Sequence, residues 1–248
     1  MSVFAFPVPD APHQRGRRAD AVVDHLIELI VSGGIQPDQL LPVESALCGA
    51  YGVSRTVIRE AIKSLEAKGL LRARQGVGTL VSAQESWNLL DPAVLAAIVR
   101  HDDRYDILDQ LIEVRTSLES SLAREAARRA TPADVAELRD LMARLDAAVQ
   151  EPDLLDDVDV AFHERIMLAS GNQLGRAIVH TVHAKARHSP RYVGHSTLTH
   201  RRQSNRQHLA VLEAIEAGDP DTAASLMAEH IATSWQRRRP AAPHQPAG

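Results

Sequence analysis

From residue 88 to residue 236 the chain offers almost no strand alternation, and three times a capping side chain stands directly before a proline: Asp91-Pro92, Thr131-Pro132 and Asp219-Pro220. A short polar side chain at the N-cap satisfies amides that a first helical turn leaves unpaired, and proline at the next position loses no hydrogen bond there. Each pair therefore starts a helix. The apolar spacing divides the stretch into an all-α bundle of six or seven helices, at 92–100, 105–129, 132–149, 153–170, 172–188, 199–217 and 220–236. Such a bundle packs with Leu, Ile, Val and Ala. The composition agrees, with 44% of the 248 residues apolar and only 3% aromatic.

Residues 19–82 follow a different plan. Val22, Val23, Leu26, Ile27, Ile30 and Val31 recur at helical spacing until Gly33-Gly34 stops them. A short helix is expected over 43–50. The turn YGVS follows, and then a helix over 55–67 with Ser54 as its N-cap and Gly69 as its stop. Residues 70–82 alternate around QGVG, which reads as a two-stranded hairpin. Helix, short helix, turn, helix and hairpin is the order of a winged helix-turn-helix. The fold class is thus mainly α. A loose arm (1–18) precedes the winged unit (19–82), a linker (83–91) joins it to the helical unit (92–236), and a loose tail (237–248) ends the chain.

Charge separates the two units further. The net formal charge is -4, which argues against a chain that coats nucleic acid indiscriminately. Between Arg55 and Arg74, however, six basic residues (Arg55, Arg59, Lys63, Lys68, Arg72, Arg74) face two acids (Glu60, Glu66). Ile58, Ala61, Ile62 and Leu65 form the inward stripe of the 55–67 helix, leaving Arg55, Thr56 and Arg59 off it at the N-terminal end. That end carries unpaired amides and positive dipole character, suited to phosphate and to major-groove base edges. Arg72, Arg74 and Gln75 put donors on the wing, and Gly76 and Gly78 let its backbone come close to DNA.

In the helical unit the segment DVAFHERI sets a question. Asp159 and His163 lie four apart and share one helix face with Phe162 and Ile166. A hydrolytic metal site, a ligand-sensing metal site and a buried hydrogen bond all fit that spacing. Of the 12 histidines, His163, His180, His183, His208 and His230 fall on amphipathic helices. Three imidazoles and a carboxylate drawn from different helices would suit zinc, nickel or manganese. Catalysis at such a centre would want a free acid or base beside the metal. Glu164 is turned about 100° from His163 by one helical step, so the expectation is that this is no enzyme.

The motifs of the winged unit carry a resemblance. LPVESALCGAYGVSRTVIREAIKSLEAKGLLRARQGVGTLV (41–81) resembles the DNA-binding domain of the GntR family of bacterial transcription regulators. The elements LPxE, GVSRTxIREAIxxLEAKGL and GxGTxV stand in order without gaps. The resemblance implies that Ser54, Arg55, Thr56, Arg59, Gln75 and Gly76 contact DNA, with Arg72 beside them on the wing. Ser45 departs from the basic residue that the family often carries after the Glu of LPxE.

The phrases FHERIMLASGN and HLAVLEAIEAGD resemble the FCD ligand-binding domain of the FadR-like branch of that family. This resemblance implies a divalent metal ion, zinc before nickel or manganese, on Asp159, His163, His208 and His230. It further implies that Arg115 in LIEVRTSLES clamps an effector carboxylate, as a forked guanidinium can. Read from the sequence alone, Arg115 either faces inward or pairs with Glu119, four residues on. Asn205, one turn before His208, and His183 are further effector candidates. SWNLLDPAVLAAI (86–98) is similar to regulators of sugar-acid operons. The expected partners are a palindromic double-stranded DNA operator, a small carboxylic acid and a second copy of the chain. The expected activity is repression, with a metal-dependent enzyme or a metal-ion sensor as the alternatives. Cys48 is the only cysteine, no apolar run approaches a membrane span and no signal peptide opens the chain, so the expected location is the cytoplasm.

Overall fold

The computed structural model describes residues 15–187, 189–193 and 196–239, which form two compact units divided between His101 and Asp102. In the first, helix α1 (Arg15–Val31) packs on α3 (Arg55–Ala67), and α2 (Glu44–Tyr51) packs on α3 from another side. Leu26, Ile27, Leu47, Ile58, Leu65 and Leu70 are fully buried at this junction. The helix stripe expected on α3 is shifted by one position. Val57 is buried with Ile58, Ala61 and Leu65, whereas Ile62 is half-buried, because the apolar face is centred one residue nearer the N-terminus. Strands β1 (Leu71–Arg74) and β2 (Gly78–Val81) pair antiparallel, Leu71 opposite Val81 and Arg74 opposite Gly78. The expected hairpin is present, with Gly76 at φ +74° in its turn.

Three boundaries differ from expectation. Helix α1 begins at Arg15, so residues 15–18 are helical rather than part of a loose arm; the rest of that arm lies outside the described residues. The last helix runs to Arg238, which takes Arg237 and Arg238 out of the expected tail. Helix α4 (Pro92–His101), expected in the second unit, packs on α1 in the first. Ion pairs explain the placement. Glu28 of α1 takes both Arg100 and His101, and Lys68 at the end of α3 takes Asp91, whose other oxygen caps α4.

The second unit is a bundle around α5 (Asp106–Arg129), which packs against α7 (Pro152–Ala169), α8 (Gln173–Ala186), α10 (Leu198–Glu216) and α11 (Pro220–Arg238). Helix α6 (Pro132–Ala147) covers α7 and α10. The cap-proline pairs act as expected. Thr131 and Asp134 form a reciprocal capping box, and Asp219 accepts the Thr222 amide at 3.1 Å. One cap went unread in the sequence: the Asp102 carboxylate accepts the amides of residues 106, 107 and 108 and starts α5. A four-residue helix, α9 (Pro190–Val193), was also not expected. Among the described residues no helix is long and apolar enough to cross a membrane.

Gly69 is the residue on which the junction after α3 turns. Its φ is +76°, and a β-carbon there would meet the Ser86 carbonyl oxygen at 2.0 Å. Gly69→Ala should therefore destabilise the first unit by about 2–3 kcal/mol. Urea melts followed by circular dichroism would read this as a lower first midpoint, and an unchanged midpoint would refute it.

Candidate metal centre and nucleic-acid interface

In the first unit, Ser54 caps α3 through its hydroxyl, which accepts the Val57 amide at the long distance of 3.5 Å. Ser54, Arg55, Thr56 and Arg59 are all exposed at this helix end, and Arg72, Gln75 and Gly76 are exposed on the wing. Their local settings differ. Arg59 donates its Nε to both carboxylate oxygens of Glu44, at 3.0 Å each, and Arg72 pairs with Asp38. Arg55 and Arg74 have no ion-pair partner among the described residues. Exposed pairs of this kind contribute little, so Arg59 and Arg72 can exchange a carboxylate for a phosphate at small cost.

In the second unit, α7 contributes Asp159 and His163 from one face, α10 contributes His208 and α11 contributes His230. One potential ligand atom from each lies within 4.8 Å of all the others. The imidazole Nε2 atoms converge. His163 lies 3.3 Å from both His208 and His230, the latter two are 3.0 Å apart, and His208 is 3.3 Å from an Asp159 carboxylate oxygen. An ion with ligands at about 2.0–2.1 Å in tetrahedral arrangement sets its ligand atoms about 3.3 Å apart, and cis ligands of an octahedron about 3.0 Å apart. The observed spacing matches both.

Hydrogen-bond accounting argues the same way. His163 Nδ1 lies 2.7 Å from Glu119, an acceptor, so the ring proton sits on Nδ1 and its Nε2 presents a bare lone pair. With no proton on that atom, three mutual Nε2 contacts cannot all be hydrogen bonds. The Nδ1 atoms of His208 and His230 are buried without a partner. A cation at the common focus would satisfy all three lone pairs at once.

Electrostatics keeps the set ready to bind. Burial pushes the His208 pKa down to about 4, and His163 adds to the effect while Asp159 opposes it. Burial, then the charges of His208 and His163, hold His230 well below the ordinary range. Burial alone would raise Asp159, but His208 and His163 outweigh it, and its carboxyl is held below the usual range. His208 and His230 are thus neutral imidazoles and Asp159 a carboxylate, the protonation states that a metal requires.

A cavity of about 320 Å³ opens beside this centre, with Asp159, His163 and His230 on one wall and Arg115, His183 and Asn205 on others. Arg115 satisfies both readings offered for it: it is buried, and its Nε donates to Glu119 at 2.6 Å. Its Nη1 lies 3.2 Å from His183 Nε2 and also donates to the Tyr192 hydroxyl. Burial and the Arg115 charge keep His183 well below its ordinary pKa, leaving Nε2 free to accept. Asn205 is anchored by Asp146, which accepts from its amide at 2.9 Å.

Two roles escaped the sequence reading, that of Glu119 toward His163 and that of Tyr192. Glu119 bridges Arg115 and His163, and its i+4 spacing from Arg115 was the available signal. Tyr192, on α9, stacks on Trp235 with ring centroids 5.9 Å apart, and nothing local in the sequence marks it.

Comparison with known proteins agrees with this architecture. The family model of bacterial regulatory proteins of the gntR family matches residues 18–81, and that of the FCD domain matches residues 110–233. The galactonate operon transcriptional repressor of Escherichia coli is 29% identical over 220 residues, covering 89% of this chain and 96% of that protein. The HTH-type transcriptional regulator LutR of Bacillus subtilis is 28% identical over 207 residues, covering 82% of this chain and 93% of that one. Among solved structures, a Listeria monocytogenes protein, Lar, described as controlling the agr system, superposes with a TM-score of 0.58 over 89% of this chain and 95% of its own, at 19% identity; that likeness concerns the fold. These relatives are regulators of transcription and not enzymes. The chain belongs to the GntR family of bacterial regulatory proteins and carries an FCD domain in its second half.

Proposed function

We propose that this protein is a ligand-responsive repressor whose operator affinity is set by a small carboxylic acid, of the sugar-acid class, held at a divalent metal in the second unit. Zinc suits the three-nitrogen, one-oxygen donor set best, with nickel or manganese as alternatives. The observation that carries this reading is the convergence of Asp159, His163, His208 and His230 on one point, with Arg115 on a wall of the adjoining cavity. The metal would neutralise one carboxylate oxygen and the Arg115 fork would orient the acid. The acid class draws support from the similarity to the galactonate operon repressor. The chain would act as a homodimer on a palindromic operator, so that protein symmetry matches the DNA half-sites. Ser54, Arg55, Thr56, Arg59, Arg72, Gln75 and Gly76 would form the DNA-reading surface. The acid would act by binding two arrangements of the dimer with different affinity.

Metal binding is tested first. Saturating zinc, at about a thousandfold over its dissociation constant, should stabilise the wild type by about 4 kcal/mol. The double substitution His208→Ala, His230→Ala should abolish both the bound metal and that gain, and Asp159→Asn should weaken binding while preserving shape. Full metal content in the double variant by atomic emission would remove the site. A titration of operator affinity with metal, repeated with added sugar acid, then separates the effector reading from a sensor of the ion itself. If metal alone toggled DNA binding and no acid altered it, the effector reading would fail.

The histidines predict the pH response of the metal-free protein. His208 titrates near 4 when folded and near its ordinary 6.5 when unfolded, so between these values the unfolded chain binds a proton that the native one refuses. Stability should be flat above about pH 6.5 and fall as the pH drops toward 4, by up to about 3 kcal/mol from this group. Urea midpoints at pH 7.5 and pH 5 measure this, and equal midpoints would contradict it.

The DNA surface is tested separately. Arg55→Ala should weaken operator binding about tenfold or more and leave metal content unchanged. Undiminished affinity in gel shifts at fixed salt would remove the groove assignment.

A further inference from the structure

The cavity beside the metal centre has a second pole. Helices α10 and α11 are joined by the short turn at 217–219 and run antiparallel, with a register fixed by hydrogen bonds. Gln207 donates to Thr233 at 3.0 Å and accepts from Arg237 at 2.9 Å. His208 and His230 share one level of this hairpin. Seven residues before His208 on α10 stands Arg201, and seven and eight residues after His230 on α11 stand Arg237 and Arg238. Because the helices are antiparallel, both steps lead in the same direction. At 1.5 Å per residue, the α-carbons of these arginines lie about 10 Å along the helix axes from those of the metal ligands, while the guanidinium groups of Arg237 and Arg238 turn back toward Gln207 and Tyr192. All three line the cavity, as do Ser204 and Asn205 on the α10 face between Arg201 and His208.

The charges at the two poles are handled differently. Arg115, close to the metal, is matched by Glu119, and Arg187 is matched by Asp157. Arg201, Arg237 and Arg238 form no ion pair among the described residues. Arg237 rests on Gln207 and Ser234, and Arg238 on the Ser234 carbonyl oxygen, with its guanidinium over the Tyr192 ring. Asp153 and Asp156 of α7 also line the cavity; neither lies within ion-pair distance of these arginines, although the Arg238 charge acts on Asp156 and Asp159. Arg201 stands out because its Nε is buried with no acceptor, and the neighbouring His200 Nδ1 is buried and unpaired as well. A buried guanidinium N–H can only donate, and leaving it unsatisfied costs free energy that an anionic acceptor would recover.

We infer that the effector is a dianion: one carboxylate is held at the metal and Arg115, and a second acidic group about 10 Å along the hairpin is received by Arg201 at the far pole of the same cavity. This rests on the proposed effector reading and narrows it. A chain of about six carbons carrying a second carboxylate or a terminal phosphate has the reach, whereas an acid with one charged end leaves Arg201 unmet.

The test uses the full-length, zinc-loaded protein and acids that differ at one end only: gluconate, glucarate and 6-phosphogluconate, with galactonate and galactarate as a second series. Calorimetric titration should give a doubly charged member binding at least about tenfold more tightly than its singly charged counterpart, the gain expected of one charge-assisted contact. Arg201→Gln should erase that preference while leaving metal content and affinity for the singly charged acid unchanged. Preference for glucarate or galactarate identifies a carboxylate at the far pole, and preference for 6-phosphogluconate a phosphate. Singly charged acids binding as tightly as doubly charged ones, or a preference that survives in Arg201→Gln, would overturn the inference and leave the metal-held carboxylate standing. If no acid of either series bound while zinc did, the carboxylate reading would fall, and this inference with it.

Discussion

The second unit depends on Glu119. Its carboxylate is almost wholly buried, a placement that costs several kcal/mol unless both oxygens are engaged. One oxygen takes Arg115 Nε at 2.6 Å and the other meets His163 Nδ1 at 2.7 Å. Burial would raise its pKa, but the Arg115 charge and the hydrogen bonds from His163 and Arg115 hold it far below the carboxylate range, so it stays ionised. Three consequences follow from one side chain. The Arg115 fork is aimed into the cavity, the His163 tautomer is fixed with a bare Nε2, and α5 is tied to α7. Removing either partner would leave a buried charge unpaired, which is far worse than never having buried the pair.

The other two imidazoles are positioned by packing instead. His208 and His230 face each other at one level of the α10–α11 hairpin with ring centroids 4.2 Å apart, and Phe162, fully buried, backs His208 at 4.9 Å. Their Nδ1 atoms find no acceptor. Orientation by shape is less strict than orientation by a carboxylate, which makes His163 the fixed member of the set and the other two the adaptable ones.

Much of this was legible in the sequence because it rests on local rules. Cap-proline pairs gave the starts of α4, α6 and α11, and the turn glycines gave the hairpin and the end of α3. The Asp159–His163 pair was visible as an i, i+4 spacing on an amphipathic helix. Its meeting with His208 and His230 was not, since helices 40 or more residues apart can point anywhere; only the family resemblance selected those two over His180 and His183. Glu119 was seen and weighed as an ordinary helix pair for Arg115, because its second bond, to His163, crosses to another helix. Tyr192 had no local signature at all. Its role comes from Arg115, Trp235 and Arg238, which approach it from two distant helices.

The first unit works by the opposite economy. Where the second unit buries the Arg115–Glu119 pair, the first leaves most of its charges at the surface. Arg59 and Arg72 are held by Glu44 and Asp38 through pairs that remain largely in water. Such pairs hardly stabilise the fold, but they restrict long side chains and lower the local positive field. On the proposed reading, binding DNA means trading these carboxylates for phosphates and base edges. Sequence-independent attraction would be weakened by the same carboxylates and by the overall charge of -4, while the groove contacts proposed for Arg55 and Thr56 at the amide-rich start of α3 would not be. A chain that is acidic in total but basic along one helix end and one wing would gain affinity chiefly where shape brings those two features onto DNA together, and that favours a specific site over the excess of non-specific ones.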